Sequence, residues 1–199
     1  MSNAARQASD QKTRTPGPGR PRNFDEASAL EAALLVFWQK GYEATSLDDL
    51  TKAMSLSRSS FYAAFDSKQA LFRRALSHYS RNGLQNLKNV AVTADGNPVD
   101  AMMQALSNPQ GGVKGCMLIN CVTELAPHDE GVAEIGRRHL EKIEEIFAEV
   151  LDPENPDAVR ARARALSSLA IGTLALRKAG YPADRIADTL KQAKVILPD

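Results

Sequence analysis

Four consecutive side chains, Ser57-Arg58-Ser59-Ser60, set three short hydroxyls around one guanidinium, and Phe61 and Phe65 follow directly. On a helix, positions 61 and 65 lie one above the other and bury one face. The serines and the arginine are then left on the exposed N-terminal edge. Such an edge suits the groove of a nucleic acid. A guanidinium donates two parallel hydrogen bonds to guanine, and a hydroxyl meets either a base edge or a phosphate oxygen. For Arg58 both destinations, base and phosphate, stay open at this level.

Other reactive side chains give less. Cys116 and Cys121 are the two cysteines; on one helix they stand about 140° apart and should not pair with each other. Cys116 follows Lys114 at the expected start of a helix. A helix N-terminus and a neighbouring cation both favour a thiolate; the alternative is a small apolar filler. Cys121, flanked by Ile119, Val122 and Leu125, reads as core. His78, His128 and His139 fall in separate segments without metal-ligand spacing, and 111–115 lacks the spacing of a phosphate loop. No nucleophile stands with a base, and no pair of carboxylates shares a defined loop. An enzyme is not expected, nor a metal or a cofactor.

These residues need elements to hold them. The 199 residues are 43% hydrophobic and 25% charged but only 6% aromatic, an ordinary folded composition with room for one generous domain or two small ones sharing a core. Ala, Leu and Arg recur where strand-forming clusters do not, so the fold class is all-α. The net charge of +1 conceals an asymmetry: residues 1–82 hold 12 basic and 8 acidic side chains, residues 83–199 hold 13 and 16. A basic front on an acidic rear points the front toward a polyanion. The most apolar long stretch, 166–176, is about half a membrane helix, and no secretory signal pattern opens the chain. No membrane partner is expected, and the cytoplasm is the expected compartment.

Asp25 is a good N-cap, and Leu30, Leu34, Phe37 and Trp38 follow helical spacing until Gly41. Ser46 with Asp49 resembles a capping box and opens a short helix over 47–54. Ser55-Leu56-Ser57 reads as a turn, 58–64 as a second short helix, and Asp66-Ser67 as the break before a long helix over 68–90. Further helices are predicted at 99–106, 116–126, 131–151, 156–179 and 183–196. Two short helices three residues apart, after a longer one, form a helix-turn-helix unit whose second helix enters the major groove.

In order and spacing, Ala29-Leu30, Ala32-Ala33, Val36-Phe37, Gly41-Tyr42, Thr45-Ser46, Leu50, Ala53, Leu56-Ser57, Tyr62, Phe65, Lys68 and Leu71-Phe72 resemble the DNA-binding segment of the TetR/AcrR family of bacterial transcriptional regulators. Ser55 departs from a frequent glycine, and a positive φ there costs about 1 kcal/mol. The resemblance implies an N-terminal three-helix helix-turn-helix DNA-binding domain over 24–75. A flexible basic arm over 1–23 precedes it, and a larger C-terminal helical domain over 76–199 binds an effector and dimerises. Carried over by position, Thr45 and Ser46 contact phosphate, Tyr62 and Lys68 hold the DNA backbone, and Arg58, Ser59 and Ser60 read bases, with Ser57 beside them on the exposed edge. In the arm, Gly19-Arg20-Pro21-Arg22 looks like the core of an AT-hook, with Arg20 and Arg22 along a narrow A·T-rich minor groove. The alternative is a basic tail that adds non-specific affinity.

In the rear half, Ala161, Ala165, Ser168, Gly172 and Ala175 interleave with Leu166, Leu169, Ile171, Leu174 and Leu176. A helix apolar nearly all round needs neighbours on more than one face. Ala165, Leu169, Gly172, Leu176, Ile186 and Leu190 are the expected centre of a homodimer interface across a two-fold axis, with burial inside one protomer as the alternative. The expected effector residues are Met102, Met103, Leu106, Cys116, Met117, Asn120, Glu124 and Phe147, with His128 nearby: methionines adapt to irregular apolar ligands, and an amide or carboxylate orients a polar group. The stretch Gly115-Cys116-Met117-Leu118-Ile119-Asn120 resembles one branch of TetR-like regulators, some of which respond to electrophiles or oxidants. One function accounts for arm, motif and rear together. It is a sequence-specific, DNA-binding transcriptional repressor released from a palindromic double-stranded DNA operator by a small effector. Thiol sensing through Cys116 and transcriptional activation are the alternatives.

Overall fold

The computed structural model describes residues 24–107 and 115–196, with side chains as far as residue 192. Residues 1–23, with Arg20 and Arg22, and Lys114 lie outside the described residues. The described residues form nine α-helices and no strand.

Helix α1 (Glu26–Lys40) is capped by Asp25, which accepts from the amides of Ala27 and Ser28, and ends at Gly41 with φ 78°, a conformation glycine reaches without a Cβ penalty. Helix α2 (Leu47–Ala53) opens with a complete Ser46–Asp49 capping box. Its exit lacks glycine. Ser55 takes φ 54°, and the amides of Ser55 and Leu56 return to the carbonyls of Lys52 and Thr51 at 3.2 and 2.9 Å, the two bonds of a Schellman stop. Helix α3 (Arg58–Phe65) starts at its N-cap Ser57 and ends at Asp66, whose φ is 61° and ψ −49°. There the Ser67 amide reaches the Phe65 carbonyl at 2.6 Å, a γ-turn of the rarer, strained hand. Ser67 at once caps the long α4 (Lys68–Val92).

The rear is built from α5 (Pro98–Ser107), α6 (Met117–Leu125), α7 (Glu130–Leu151), α8 (Arg160–Lys178) and α9 (Ala183–Ile196). Two starts differ from expectation. Residues 156–159 form a 3₁₀ turn ahead of α8, because Pro156 opens that turn and Val159, at φ −105° and ψ 7°, is not yet helical. Cys116 stands before α6 rather than in its first turn: its backbone is extended, and its sulfur makes no capping bond.

The apolar faces assemble into two cores. The first joins Leu30, Ala33 and Phe37 of α1, Leu50 of α2, Phe61 and Phe65 of α3, and Leu71, Phe72 and Leu76 of α4. It also takes in Met117 and Leu118 of α6 and Val132 of α7. The second joins Leu87, from farther along α4, to Met102, Met103, Ile143, Phe147, Leu166, Ala170 and Leu190. Each large side chain removed from water contributes about 1.5–3 kcal/mol. Helix α4 is therefore common to both cores. A polar tie reinforces the first: Asp129 caps α7 through the Val132 amide and accepts from Arg73 at 2.8 and 3.1 Å and from Gln69 at 3.0 Å. Burial opposes the charge on Asp129, but the Val132 amide, Arg73 and Gln69 outweigh it and hold the carboxyl below its usual range.

Candidate functional site

The helix-turn-helix edge forms from its caps outward. Phe61 and Phe65 are buried in the first core, so the opposite side of α3 must face solvent. Ser57, Arg58, Ser59 and Ser60 are all exposed, and Tyr62 is 53% exposed. The Ser57 hydroxyl accepts from the Ser60 amide at 3.0 Å, and the hydroxyls of Ser59 and Ser60 each lie 2.9 Å from it. Arg58 does not extend freely. Its Nη2 and Nε donate to one oxygen of Asp48 at 2.7 and 3.1 Å, and that bond and charge push the guanidinium pKa up. Ser46 is exposed at the start of α2, where its hydroxyl is held by Asp49 at 2.7 Å. Asp49 in turn is bound by Lys40 at 2.6 Å, and chiefly through Lys40 and Ser46 its carboxyl sits well below the usual range.

Two expected phosphate ligands have other work. Thr45 is 1% exposed, and its hydroxyl donates to the Gly41 carbonyl at 2.6 Å, so it has neither the access nor the free proton to reach a phosphate. The Lys68 ammonium donates to the carbonyls of Tyr42 and Thr45, both at 2.9 Å, and lies 3.5 Å from that of Glu43. It also sits 4.5 Å from the centre of the Tyr42 ring. It therefore ties down the connection between α1 and α2, where backbone carbonyls need donors.

Behind this unit lies a cavity of about 220 Å³. Its walls include Trp38 of α1 and Tyr79 of α4, an edge-to-face pair with ring centres 6.0 Å apart. Leu84, Leu87, Ile143 and Leu174 supply an apolar side, and Cys116, His139 and Arg177 a polar one. The Tyr79 hydroxyl lies 3.6 Å from the Cys116 sulfur, and burial first, then Cys116, drives its pKa far up. His139 Nδ1 and the Ser80 hydroxyl are 2.9 Å apart, and burial pushes the imidazole down to about 4, leaving it neutral at pH 7. Arg177 is 5% exposed and donates to the Ser107 carbonyl at 2.7 Å. Burial, followed by Glu124, pushes the Cys121 thiol up to about 12; the residue is half-buried and packs against the first core from its edge.

Of the expected effector residues, Leu106 and Cys116 line this cavity. Met102, Met103 and Phe147 belong to the second core and Met117 to the first, because their long apolar side chains fill the space between helices. Asn120 is outside the lining, its carboxamide oxygen taken by Lys178 at 3.1 Å. Glu124 and His128 are exposed. Trp38, Tyr79, His139 and Arg177 were missed as cavity residues. The available signal was a lone tryptophan on the first helix and an arginine closing the apolar run that ends at Leu176.

The expected dimer face divides in two. Ile186 and Leu190 are 0% and 7% exposed. Four residues apart, they turn inward as α9 packs on α5 and α8, so within the protomer they are core and not an outer surface. The outer face of α8 holds Ala161, Ser168, Gly172 and Ala175, all exposed, with Ala165, Leu169 and Leu176 half-buried beside them. A Cβ added at Gly172 would meet nothing within 4 Å.

The family model of bacterial regulatory proteins, tetR family, matches residues 29–75. Across most of its length the chain is similar to the HTH-type transcriptional repressor BdcR of Escherichia coli (strain K12), at 27% identity over 183 residues, 88% of this chain and 90% of that protein. It is 30% identical over 190 residues to the uncharacterized HTH-type transcriptional regulator YezE of Bacillus subtilis (strain 168), covering 85% of this chain and 94% of that one. Among solved structures, a cysteine-substituted form of the TetR family transcriptional regulator CifR, complexed with 26bp double-strand operator DNA, superposes with a TM-score of 0.73 at 27% identity, over 90% of this chain and 100% of that chain. The reduced form of NemR from E. coli gives a TM-score of 0.73 at 19% identity, over 86% of this chain and 96% of that chain, a likeness of fold.

Proposed function

Since the chain belongs to the TetR family of bacterial regulatory proteins and is a DNA-binding transcriptional regulator, we propose that it acts as a cytoplasmic homodimeric repressor, released from a palindromic operator by a small molecule in the cavity behind α1. Two copies place their α3 helices in successive major grooves about one helical turn apart. Ser57, Ser59, Ser60 and Tyr62 meet the backbone or base edges, and Arg58 exchanges Asp48 for the DNA. Ser46, through its cap, approaches a phosphate at the start of α2, and Arg20 and Arg22 of the arm enter the adjoining minor groove.

The observation that carries the release step is the ownership of the cavity walls. Trp38 belongs to the helix-turn-helix unit, Tyr79 to the helix shared by both cores, and His139 and Arg177 to the rear. A molecule bound there touches the reading unit and the rear together. It can then favour one angle of α4 over another, which is the differential affinity that a population shift requires. Fluorescence anisotropy on DNA from upstream of its own gene tests this. Tight, salt-dependent binding, lost in Arg58→Ala and Tyr62→Ala, supports the docking; equal affinity for unrelated DNA refutes it. A reporter placed behind the same DNA separates repression from activation by the sign of the change when the protein is removed.

One observation favours a second route. Cys116 lines the cavity beside the Tyr79 hydroxyl, so its sulfur is within reach of an electrophile bound there. Its thiolate would add to a ring carbon of a quinone, with the proton ending on the ring oxygen. Release by benzoquinone that Cys116→Ser resists would establish this route; equal release in both proteins would leave the cavity to reversible ligands.

A further inference from the structure

His139 of α7 lines the cavity and is 7% exposed. Its Nδ1 lies 2.9 Å from the Ser80 hydroxyl. Ser80 is 8% exposed and has no second hydrogen-bond partner among the described residues, so its proton goes to Nδ1. The ring is neutral at pH 7, and a neutral imidazole that accepts at Nδ1 carries its own proton on Nε2. That N–H has no acceptor among the described residues, yet it is not sealed in. The edge of the ring runs along α4. Nδ1 meets Ser80, and the next atom, Cε1, is 3.9 Å from where a Cβ would stand on Gly83, a wall residue one turn on. Nε2 follows beyond Cε1, and the open space that this deeply buried side chain adjoins is the cavity it lines. Gly83 and Asn86 are the exposed residues of the described wall and mark its mouth.

At about 220 Å³ the cavity falls below the roughly 300 Å³ at which sites for drug-sized molecules begin, so it suits a single ring. Resting on the reading of this cavity as the effector site, we propose that its ligand is a small neutral carbonyl compound, its apolar body against Leu84, Leu87, Ile143 and Leu174 and its oxygen accepting from His139 Nε2–H. A pure hydrocarbon fits the same apolar wall but leaves the donor bare, which costs the desolvation of that group. A charged ring gives up its hydration shell, and a neutral imidazole returns only one hydrogen bond. An alcohol accepts as well, but brings in a proton that needs an acceptor of its own; a carbonyl oxygen brings lone pairs alone.

The full chain would be titrated by calorimetry at pH 7.5 with cyclohexanone and with methylenecyclohexane, which has the same shape and a methylene group in place of the oxygen. Cyclohexanol, cyclohexanecarboxylate and cyclohexylammonium complete the series. Cyclohexanone has no conjugated double bond, so its binding is separate from addition at Cys116. The expected result is saturable binding of the ketone, about three- to tenfold tighter than any of the others. His139→Gln, whose amide nitrogen can take the place of Nε2, should keep that preference, and His139→Met should erase it. Where His139→Met does not fold, nitrogen NMR of the three histidines reads the donor directly. The His139 signals, assigned by their loss in His139→Gln, should show the proton on Nε2, and cyclohexanone should shift that nitrogen. A ring protonated at Nδ1, any other compound binding as tightly as the ketone, or no compound saturating would overturn the ligand class. Tighter binding of the carboxylate would hand recognition to Arg177. Adding the same compounds to the operator complex separates the two readings. A ketone that binds but leaves operator affinity unchanged supports the ligand class and refutes release. Release by the hydrocarbon as readily as by the ketone refutes the class and leaves release standing.

Discussion

At the scale of single residues, the reading edge is restrained before it meets DNA. Arg58 is held by Asp48, and both side chains are largely exposed, at 66% and 71%, so the pair contributes little to stability. In the proposed docking it competes with DNA for the same guanidinium. Asp48→Asn removes the competitor and one negative charge facing the phosphates. Operator affinity at about 0.1 M salt should rise some three- to tenfold in fluorescence anisotropy, with part of the gain extending to unrelated DNA because backbone attraction carries no sequence information. Lys68 makes the opposite case. Its ammonium serves backbone carbonyls, so Lys68→Met should act on folding, lowering stability by about 1–3 kcal/mol in urea melts. A variant with unchanged melts but weakened DNA binding would return Lys68 to the phosphate role its position suggested.

Among the elements, the turns set the angles between helices. Ser55 sits at φ 54° in the stop between α2 and α3. Ser55→Gly should relieve about 1 kcal/mol, raising the melting temperature by about 2–4 °C for a chain of this size. The packing of α4 on α7 carries a pH dependence. His139 is pushed down to about 4 by burial, against about 6.5 when unfolded. Between those values the unfolded chain binds the proton and the folded chain does not, so stability is full above pH 6.5 and is lost as the pH falls toward 4. The slope is on the order of 1 kcal/mol per pH unit. Urea midpoints at pH 7.5 and 5.0 should differ accordingly, and His139→Gln should flatten that difference. Most helix limits were legible because caps are local: Asp25, Ser46, Ser57 and Gly41 announce themselves by type and position. The positive φ of Ser55 was legible too, from a serine where the family often has glycine. The cavity was not legible. Its walls come from residues as far apart as Trp38 and Arg177, brought together by the packing of α4 against α1 on one side and α7 on the other. Met102, Met103 and Phe147 suit a pocket and a core equally well by composition, and only the packing assigns them to the core.

For the molecule as a whole, the proposed homodimer would set how the two reading heads are spaced. The small-residue face of α8 is open at Ala161, Ser168, Gly172 and Ala175, and close approach of two helices needs such a face. A Cβ added at Gly172 meets nothing within 4 Å and the position is exposed, so Gly172→Arg should leave the helical circular dichroism intact. The mass by light scattering should fall from a dimer to 21.6 kDa, and affinity for a palindrome should fall at least a hundredfold, toward that of a half-site. A variant that stays dimeric would move the interface off this face.

The first core has a further consequence for transplantation. Met117, Leu118 and Val132 reach back to close it, and Asp129 binds Arg73 and Gln69 at the start of α4. The smallest piece that carries this DNA specificity intact is therefore discontinuous in sequence: α1 to α4 together with α6 and the first turn of α7. A chimera that joins residues 24–75 to a foreign rear domain would inherit an unplugged core, and its new owner would have to supply three apolar side chains and an acid at matching places. Specificity in this chain is the property of a shared interior, so exchange between relatives should succeed only when both sides of that interior travel together.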